Sequence, residues 1–212
     1  MIPLLQIEKM ATHWNSHFKV KPKVTKARKP IKRRSTLVGL KPKPTKTSLP
    51  TWIKAIPESQ AHGSGTLQKR LWRLKSDFVR IRDWYAYDGR CVASGRKLAH
   101  WTLGQAGHFK PYSNCNGMFK FHEMNIHLQS ANKNKWGNRD DWKAYENELI
   151  LRYSQEFIDA IELSNKNWPL KITNEMVIQE IQRTIKMLGM CPEQPVYYPR
   201  VVALQRELEQ LH

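Results

Sequence analysis

The sequence predicts a mixed α+β domain that follows a basic N-terminal arm. Apolar residues recur at helical spacing before residue 85 and again after residue 139, and turn dipeptides separate short apolar runs between these regions. The 212-residue chain is 40% hydrophobic and 10% aromatic, which is enough apolar material for a packed core. We therefore expect helices that frame short β-hairpins.

The N-terminal segment carries most of the positive charge. Between Lys19 and Lys46 there are 12 Lys or Arg residues and no acid, against a net charge of +18 for the whole chain. Proline interrupts the segment and little apolar periodicity remains, so we predict a largely disordered arm over residues 1–65. Because such a segment repels itself unless an anion neutralises it, we expect it to contact nucleic acid; a solubilising linker is the alternative.

The net charge and the number of cysteines indicate which binding partners and which cellular compartment to expect. A sequence pI near 10.0 favours a polyanionic partner, with nucleic acid ahead of an anionic membrane. The N-terminal apolar run IPLL is too short for a secretory signal, and no stretch is long enough to cross a bilayer. Three cysteines fit neither a disulfide framework nor a paired CxxC zinc site, so we predict a cytoplasmic protein.

A long helix is predicted directly after the Gly/Ser segment AHGSG at residues 61–65, with Thr66 as its N-cap. Steps of four and three residues place one apolar face on it, made of Leu67, Leu71, Leu74, Phe78 and Ile81. Cations that include Arg73 and Arg80 fill much of the other side. Such a side is either solvated or in contact with phosphate.

The dipeptides Asp88-Gly89, Ser94-Gly95 and Asn116-Gly117 predict hairpins within residues 85–127. We expect His108 to end one strand and Asn125 to follow a second strand that contains Met118, Phe119 and Phe121. Helical spacing returns after Arg139, first through residues 142–161 and then through residues 178–188. A last helix is predicted over about residues 200–211, within a C-terminal extension that begins at residue 191.

Residues 105–138 hold groups that suit phosphodiester hydrolysis, namely His108, Asn125 and the polar series SANKNKWGN. The reaction needs a base for water and a cation for the developing charge. A neutral histidine supplies the first near pH 7, and amide oxygens suit a hard ion such as Mg²⁺. The alternative is that the histidine is structural and the asparagines cap turns.

Three short motifs resemble those of the HNH, or ββα-metal, nucleases: AGHF at 106–109, MNIH at 124–127 and NKNKWGN at 132–138. More narrowly, residues 66–190 resemble the NinG (Rap) family of lambdoid-phage recombination endonucleases. The resemblance implies a hairpin-and-helix core framed by amphipathic helices, and an endonuclease for branched DNA such as Holliday junctions or D-loops. It also implies a phage or prophage gene expressed in a bacterial host.

Roles follow from the same resemblance. His108 would be the general base, Asn125 would fix the loop and the orientation of the base, and Asn132 would ligate one Mg²⁺ or Mn²⁺ ion. His127 would be either a ligand or a supporting group. A second ligand stays open among Gln105, His127 and Asn134, since Gly107 stands where many HNH nucleases place one. The expected phosphate contacts are Lys135, Lys133, Lys110, Arg73 and Arg80.

No structural zinc is expected. Family members often brace the hairpin with two CxxC pairs, whereas this chain has CVAS at 91–94 and QSAN at 129–132, and one cysteine cannot make a four-cysteine site.

Two alternative functions remain: a non-catalytic nucleic-acid-binding protein with a degenerate HNH fold, and a homing or packaging HNH nuclease that cuts a defined duplex sequence. Two symmetric cuts on a junction would favour a homodimer.

Overall fold

The computed structural model describes residues 49–63 and 65–210, apart from the side chains of Trp136 and Glu209. The basic part of the predicted arm, residues 1–48, lies outside the described residues. Residues from Leu49 onward form one compact unit. This unit combines helices with one two-stranded antiparallel sheet, which confirms the predicted α+β class.

The folded unit begins earlier than the predicted boundary at residue 66. A short helix, α1 (Thr51–Lys54), starts after Pro50 and buries Trp52 and Ile53. The guanidinium of Arg70 donates hydrogen bonds to the carbonyls of Ile53, at 3.1 Å, and of Lys54, at 2.7 Å. It thereby satisfies carbonyl groups that the end of a helix leaves without partners.

The central helix, α2 (Thr66–Ala86), has the apolar face that its spacing predicts. Leu71, Leu74 and Ile81 are fully buried on it. Its N-cap is Gly65 rather than Thr66, because the extended backbone ends at Gly65 and Thr66 already belongs to the first turn. The helix is followed by the predicted Asp88-Gly89 turn, in which both residues have a positive φ, and by a single bridge between Arg90 and Lys97.

One β-hairpin forms the sheet. Strand β1 (Gly104–His108) pairs with β2 (Ile126–Ser130) so that His108 lies opposite Ile126, and Gly107 lies opposite His127. The outer edge of β2 is closed by other elements: the Asp83 carboxylate accepts a hydrogen bond from the Leu128 amide at 2.8 Å, and the Leu128 carbonyl accepts one from Val92.

The predicted second strand through Met118, Phe119 and Phe121 is wrong. These residues form a 3₁₀ helix, Gly117–Phe121, and Asn125 precedes the second strand instead of following it. The backbone bonds within the chain segment itself, since the amides of Phe119 and His122 donate to the carbonyls three residues earlier, those of Asn116 and Phe119. Gly117 also has φ of +46°, which an extended strand does not accommodate.

Helices complete the unit after the hairpin. Helix α3 (Ala131–Trp136) follows β2 at once, and α4 (Arg139–Arg152) begins with a capping box between Asn138 and Asp141. The apolar line predicted over residues 142–161 is divided between α4 and α5 (Gln155–Asn167). The last two helices are α6 (Asn174–Gly189) and α7 (Tyr198–Glu209), the second slightly earlier than predicted.

Two buried clusters hold these elements together. The larger one joins α1, α2, α6 and α7 to the α2-facing side of the hairpin. The smaller one contains Cys91, Phe109, Phe119, Tyr145 and Leu149, and lies between α4, α5 and the loops that flank the strands. The hairpin therefore lies between two packed groups of helices. Among the described residues, no helix has the length and apolar character needed to cross a membrane.

Candidate functional site

His108 stands at the last position of β1 and is held by a backbone hydrogen bond. Its Nε2 atom lies 2.8 Å from the carbonyl oxygen of Lys120. A carbonyl only accepts, so Nε2 carries the proton and Nδ1 keeps its lone pair. The imidazole is thus fixed in the tautomer whose Nδ1 accepts a proton.

Burial, together with the nearby His62 and Lys120, lowers the pKa of His108 to about 4. The hydrogen bond to the Lys120 carbonyl opposes this shift. Because a histidine is neutral above its pKa, His108 is a neutral imidazole throughout the physiological pH range. A neutral imidazole is the form that a general base requires.

Three further rings surround His108, and together the four form what we term the ring cluster: His62, Trp72, His108 and Tyr112. His108 stacks on Trp72 with a centroid separation of 4.9 Å, and His62 stacks on Tyr112 at 4.6 Å. His62 meets His108 edge to face at 5.3 Å. No sequence pattern predicts that His62 belongs to the site, since it lies in the Gly/Ser segment AHGSG before the long helix.

Asn125 fastens the two ends of the loop that joins the strands. It is fully buried, its Oδ1 accepts a hydrogen bond from the Lys110 amide at 2.7 Å, and its Nδ2 donates to the Lys110 carbonyl at 3.0 Å. Its own carbonyl accepts from the Phe109 amide at 2.8 Å. The segment that directly follows His108 is therefore tied to the residue that precedes β2.

His127 is buried on the opposite face of the hairpin from His108, because it pairs with Gly107 and side chains alternate along a strand. Its Nε2 lies 3.1 Å from the Met124 carbonyl, and its Nδ1 lies 3.3 Å from the Arg82 guanidinium. Donation from Nε2 and acceptance at Nδ1 satisfy both nitrogens of the neutral ring. Burial lowers the pKa of His127, which agrees with this neutral form.

Arg82 and Asp83 form a buried charged pair beneath β2. The Arg82 Nε lies 2.6 Å from Asp83 Oδ1, and the same guanidinium donates to the carbonyls of Glu123 and Ile126. Burial alone would raise the pKa of Asp83, but the adjacent Arg82 charge holds it well below its usual range. The carboxylate therefore stays ionised and keeps its bond to the β2 backbone.

Three amide side chains converge at Gly107, and we term Gln105, Gln129 and Asn134 the amide cluster. Asn134 Nδ2 donates to Gln105 Oε1 at 2.8 Å. A Cβ atom at Gly107 would lie 2.0 Å from Gln129 Oε1 and 2.8 Å from Asn134 Oδ1, so a side chain here would displace the ends of these two amides. Gln105 and Asn134 are both candidate second ligands, and they are in contact although 29 positions separate them in the sequence.

The amide cluster offers oxygen atoms that suit Mg²⁺ or Mn²⁺, but it contains no carboxylate. Among the described residues no group of three or more His, Cys, Asp or Glu is placed to hold a metal. Mg²⁺ is commonly held by few protein ligands together with substrate phosphate oxygens. Side-chain alternation places Gln105 and Gln129 on the hairpin face that carries His127, so the amide cluster and His108 lie on different faces of the sheet.

The structure does not bring Asn132 and His127 together. Asn132 is exposed on α3 and lines a cavity, whereas His127 is fully buried with both nitrogens in use. Of the two, only Asn132 has a side chain that solvent reaches. His127 is placed as a supporting group of the hairpin.

Most of the cations predicted to contact phosphate form ion pairs within the chain. Lys110 pairs with Glu162 at 2.6 Å, and Lys133 pairs with Asp141 at 2.5 Å. Arg73 and Arg80 both pair with the buried Asp77, and Arg80 also lies over the Trp101 ring at 5.0 Å. Lys135 is exposed on α3. Four of the five predicted phosphate contacts thus contribute to the fold through ion pairs.

The two stretches that stand where relatives carry CxxC pairs do meet in space. Cys91 Sγ lies 3.7 Å from Ser130 Oγ, and hydrogen bonds from Ser94 and Ser130 lower the pKa of the Cys91 thiol although its burial acts to raise it. All three cysteines of the chain are free. Hydroxyl and thiol groups hydrogen-bonded to each other occupy this corner of the fold.

Comparisons with known proteins place the chain in a family. No curated protein matches it. No solved structure matches it. The family model described as Bacteriophage Lambda NinG protein matches residues 46–189, which is more than half of the chain, and the chain therefore belongs to the NinG family of bacteriophage proteins.

Proposed function

We propose that this protein is a metal-dependent DNA endonuclease of the HNH, or ββα-metal, type that acts on branched recombination intermediates. The observation that carries the proposal is His108, a partly buried neutral histidine that ends the first strand of a hairpin and is oriented by the Lys120 carbonyl. The hairpin leads directly into helix α3, the element order that an HNH core requires. Membership of the NinG family supports a role in phage recombination, in the cytoplasm of the bacterial host.

In the proposed reaction, Nδ1 of His108 takes a proton from the attacking water. The Lys120 carbonyl holds the ring in place and stabilises the imidazolium that forms, because it accepts a hydrogen bond from Nε2. Asn125 keeps the base in register by fastening the segment that follows it. His127, in this reading, supports the hairpin from its other face.

The divalent ion, Mg²⁺ or Mn²⁺, would be held by amide oxygens together with phosphate oxygens of the DNA. The exposed Asn132 is the ligand that the resemblance implies, and Gln105 and Asn134 of the amide cluster, which contact each other on the hairpin face opposite His108, are candidate second ligands. When bound, the ion supplies a positive charge that neutralises the charge developing on the phosphate. The basic arm would add affinity through contacts with the DNA backbone.

The proposal is tested by incubating the full-length protein with a four-way junction and with a linear duplex of the same arm sequence, each with Mg²⁺ or with EDTA. We expect cutting of the junction that requires the metal and exceeds cutting of the duplex. Binding without cutting in Mn²⁺ as well as Mg²⁺ would favour the non-catalytic rival. Cutting at one defined duplex sequence would favour the homing or packaging rival.

The pH dependence of cleavage should reflect the environment of His108. Because its pKa is lowered to about 4, the base stays deprotonated as the pH falls from 7 to 5. Cleavage should therefore persist at pH 5.5, with its acidic limb below about pH 5, when the rate is measured in single turnover with saturating protein. DNA binding measured over the same pH range is the control. An acidic limb near pH 6.5 would instead show that the base is solvated in the active complex.

A further inference from the structure

A cavity opens at the end of the hairpin that lies farthest from His108. It has a volume of about 540 Å³ and lies between residues 94–99 and the start of α3. Gly104 pairs with Ser130 at this end, whereas His108 pairs with Ile126 at the other. Four strand residues at about 3.3 Å each separate the two ends by ~13 Å, which is roughly four base steps along a DNA strand.

The wall of the cavity is positively charged. Arg96, Lys97 and Lys133 line it, and no carboxylate does. Lys97 is paired with Asp88 at 2.5 Å and Lys133 with Asp141 at 2.5 Å, and neither acid belongs to the wall. Within residues 49–63 and 65–210, Arg96 has no ion-pair partner, so the wall keeps an excess of positive charge.

The neutral groups of the wall are those that bind phosphate oxygens. Ser94 and Ser130 contribute hydroxyls, and Asn132 contributes an amide. Hydroxyl, amide, lysine and arginine groups are the common donors to phosphate in protein–DNA contacts, and arginine makes the two-pronged contact that a phosphate accepts best. A tetrahedral oxyanion therefore matches the cavity in charge and in hydrogen bonding.

We propose that this cavity is a binding site for a backbone phosphate of DNA, centred on Arg96 and distant from the phosphate that is cut. In this arrangement Asn132 contacts that distant phosphate and is not a ligand of the metal ion. The proposal rests on the proposed function for the presence of DNA, but not on cleavage. In this proposal residues 94–97 and 130–133 contact the DNA backbone and position the substrate. Phosphate is then bound at the cavity and not on the α2 face, where Arg73 and Arg80 form internal ion pairs.

The test compares two double variants of the full-length protein in EDTA, so that cutting plays no part. Arg96→Ala with Lys97→Ala removes two cations of the wall. Arg200→Ala with Arg206→Ala removes two exposed cations of α7 and is the matched control. Affinity for a linear duplex is measured over a range of salt concentrations, and the melting temperature of each variant confirms that it is folded.

Loss of two phosphate contacts should reduce the magnitude of the slope of log affinity against log salt by about 1.8, at ~0.9 per contact on duplex DNA. The control should keep the slope of the unaltered protein. Equal slopes for all three proteins, or equal reductions in both variants, would overturn the proposal.

Inorganic phosphate distinguishes a DNA site from a site for a free ion. If phosphate raises the melting temperature of the unaltered protein but not that of the Arg96→Ala, Lys97→Ala variant, while the salt slopes are equal, the cavity binds free phosphate and the DNA proposal fails. If the unaltered protein cuts no DNA but the Arg96→Ala, Lys97→Ala variant has a reduced salt slope, the nuclease proposal fails and the phosphate-site proposal stands. The failure of one proposal can therefore be told from the failure of the other.

Discussion

Replacing His108 with alanine should lower the rate of DNA cleavage by about 10²-fold to 10⁴-fold, the range expected when a general base is removed. DNA affinity should stay near that of the unaltered protein, because the imidazole donates to the Lys120 carbonyl and stacks on the Trp72 ring of the chain itself. Single-turnover cleavage and equilibrium binding in EDTA measure the two effects separately.

His100→Ala is the matched control for this variant. His100 is a histidine outside the ring cluster, and its Nε2 lies 3.6 Å from Glu193 on the surface. Its replacement should leave cleavage unchanged. His108→Ala with native stability and unaltered cleavage would show that the base has been assigned to the wrong residue. A fall in melting temperature that accounts for the whole loss of activity would make His108 a structural residue.

Asp83→Asn should cause a large loss of stability. It keeps the shape of the side chain but leaves the Arg82 guanidinium without its carboxylate in a buried position. Removing one partner of a buried pair typically costs about 3–5 kcal/mol. Denaturant unfolding measures this as a lower midpoint.

Asp88→Asn serves as the comparison. Asp88 also forms an ion pair, with Lys97 at 2.5 Å, but both side chains are more than half exposed. Exposed pairs contribute about 0–1 kcal/mol, and asparagine tolerates the left-handed backbone that Asp88 adopts at φ of +53°. Its midpoint should change little. If the two variants lost equal stability, the buried pair would not be the feature that holds the hairpin.

Local pattern was enough to predict the helices and the strand end at which His108 lies. The spacing of Leu71, Leu74 and Ile81 predicted the buried face of α2, and the order of AGHF before MNIH placed His108 at a strand end. The same reasoning failed at Phe119, because a short apolar run is compatible with a strand and with a buried 3₁₀ turn.

The remaining contacts of the site join residues that are far apart in the sequence. Gln105 meets Asn134 across 29 residues, and Arg82 meets His127 across 45. No periodicity or spacing rule encodes such pairs, since they depend on how packed elements meet. For the same reason the sequence pattern could not predict that His62 lies beside His108.

The closed edge of β2 has a consequence for fragments of this protein. Both outward backbone groups of Leu128 are satisfied from outside the hairpin, the amide by Asp83 and the carbonyl by Val92. A peptide of residues 104–136 would lose these partners and the Trp72 ring that stacks on His108. Because an isolated two-stranded hairpin is marginally stable at best in water, we expect that peptide to be unstructured. A graft of this site onto another scaffold would therefore have to include the length of α2.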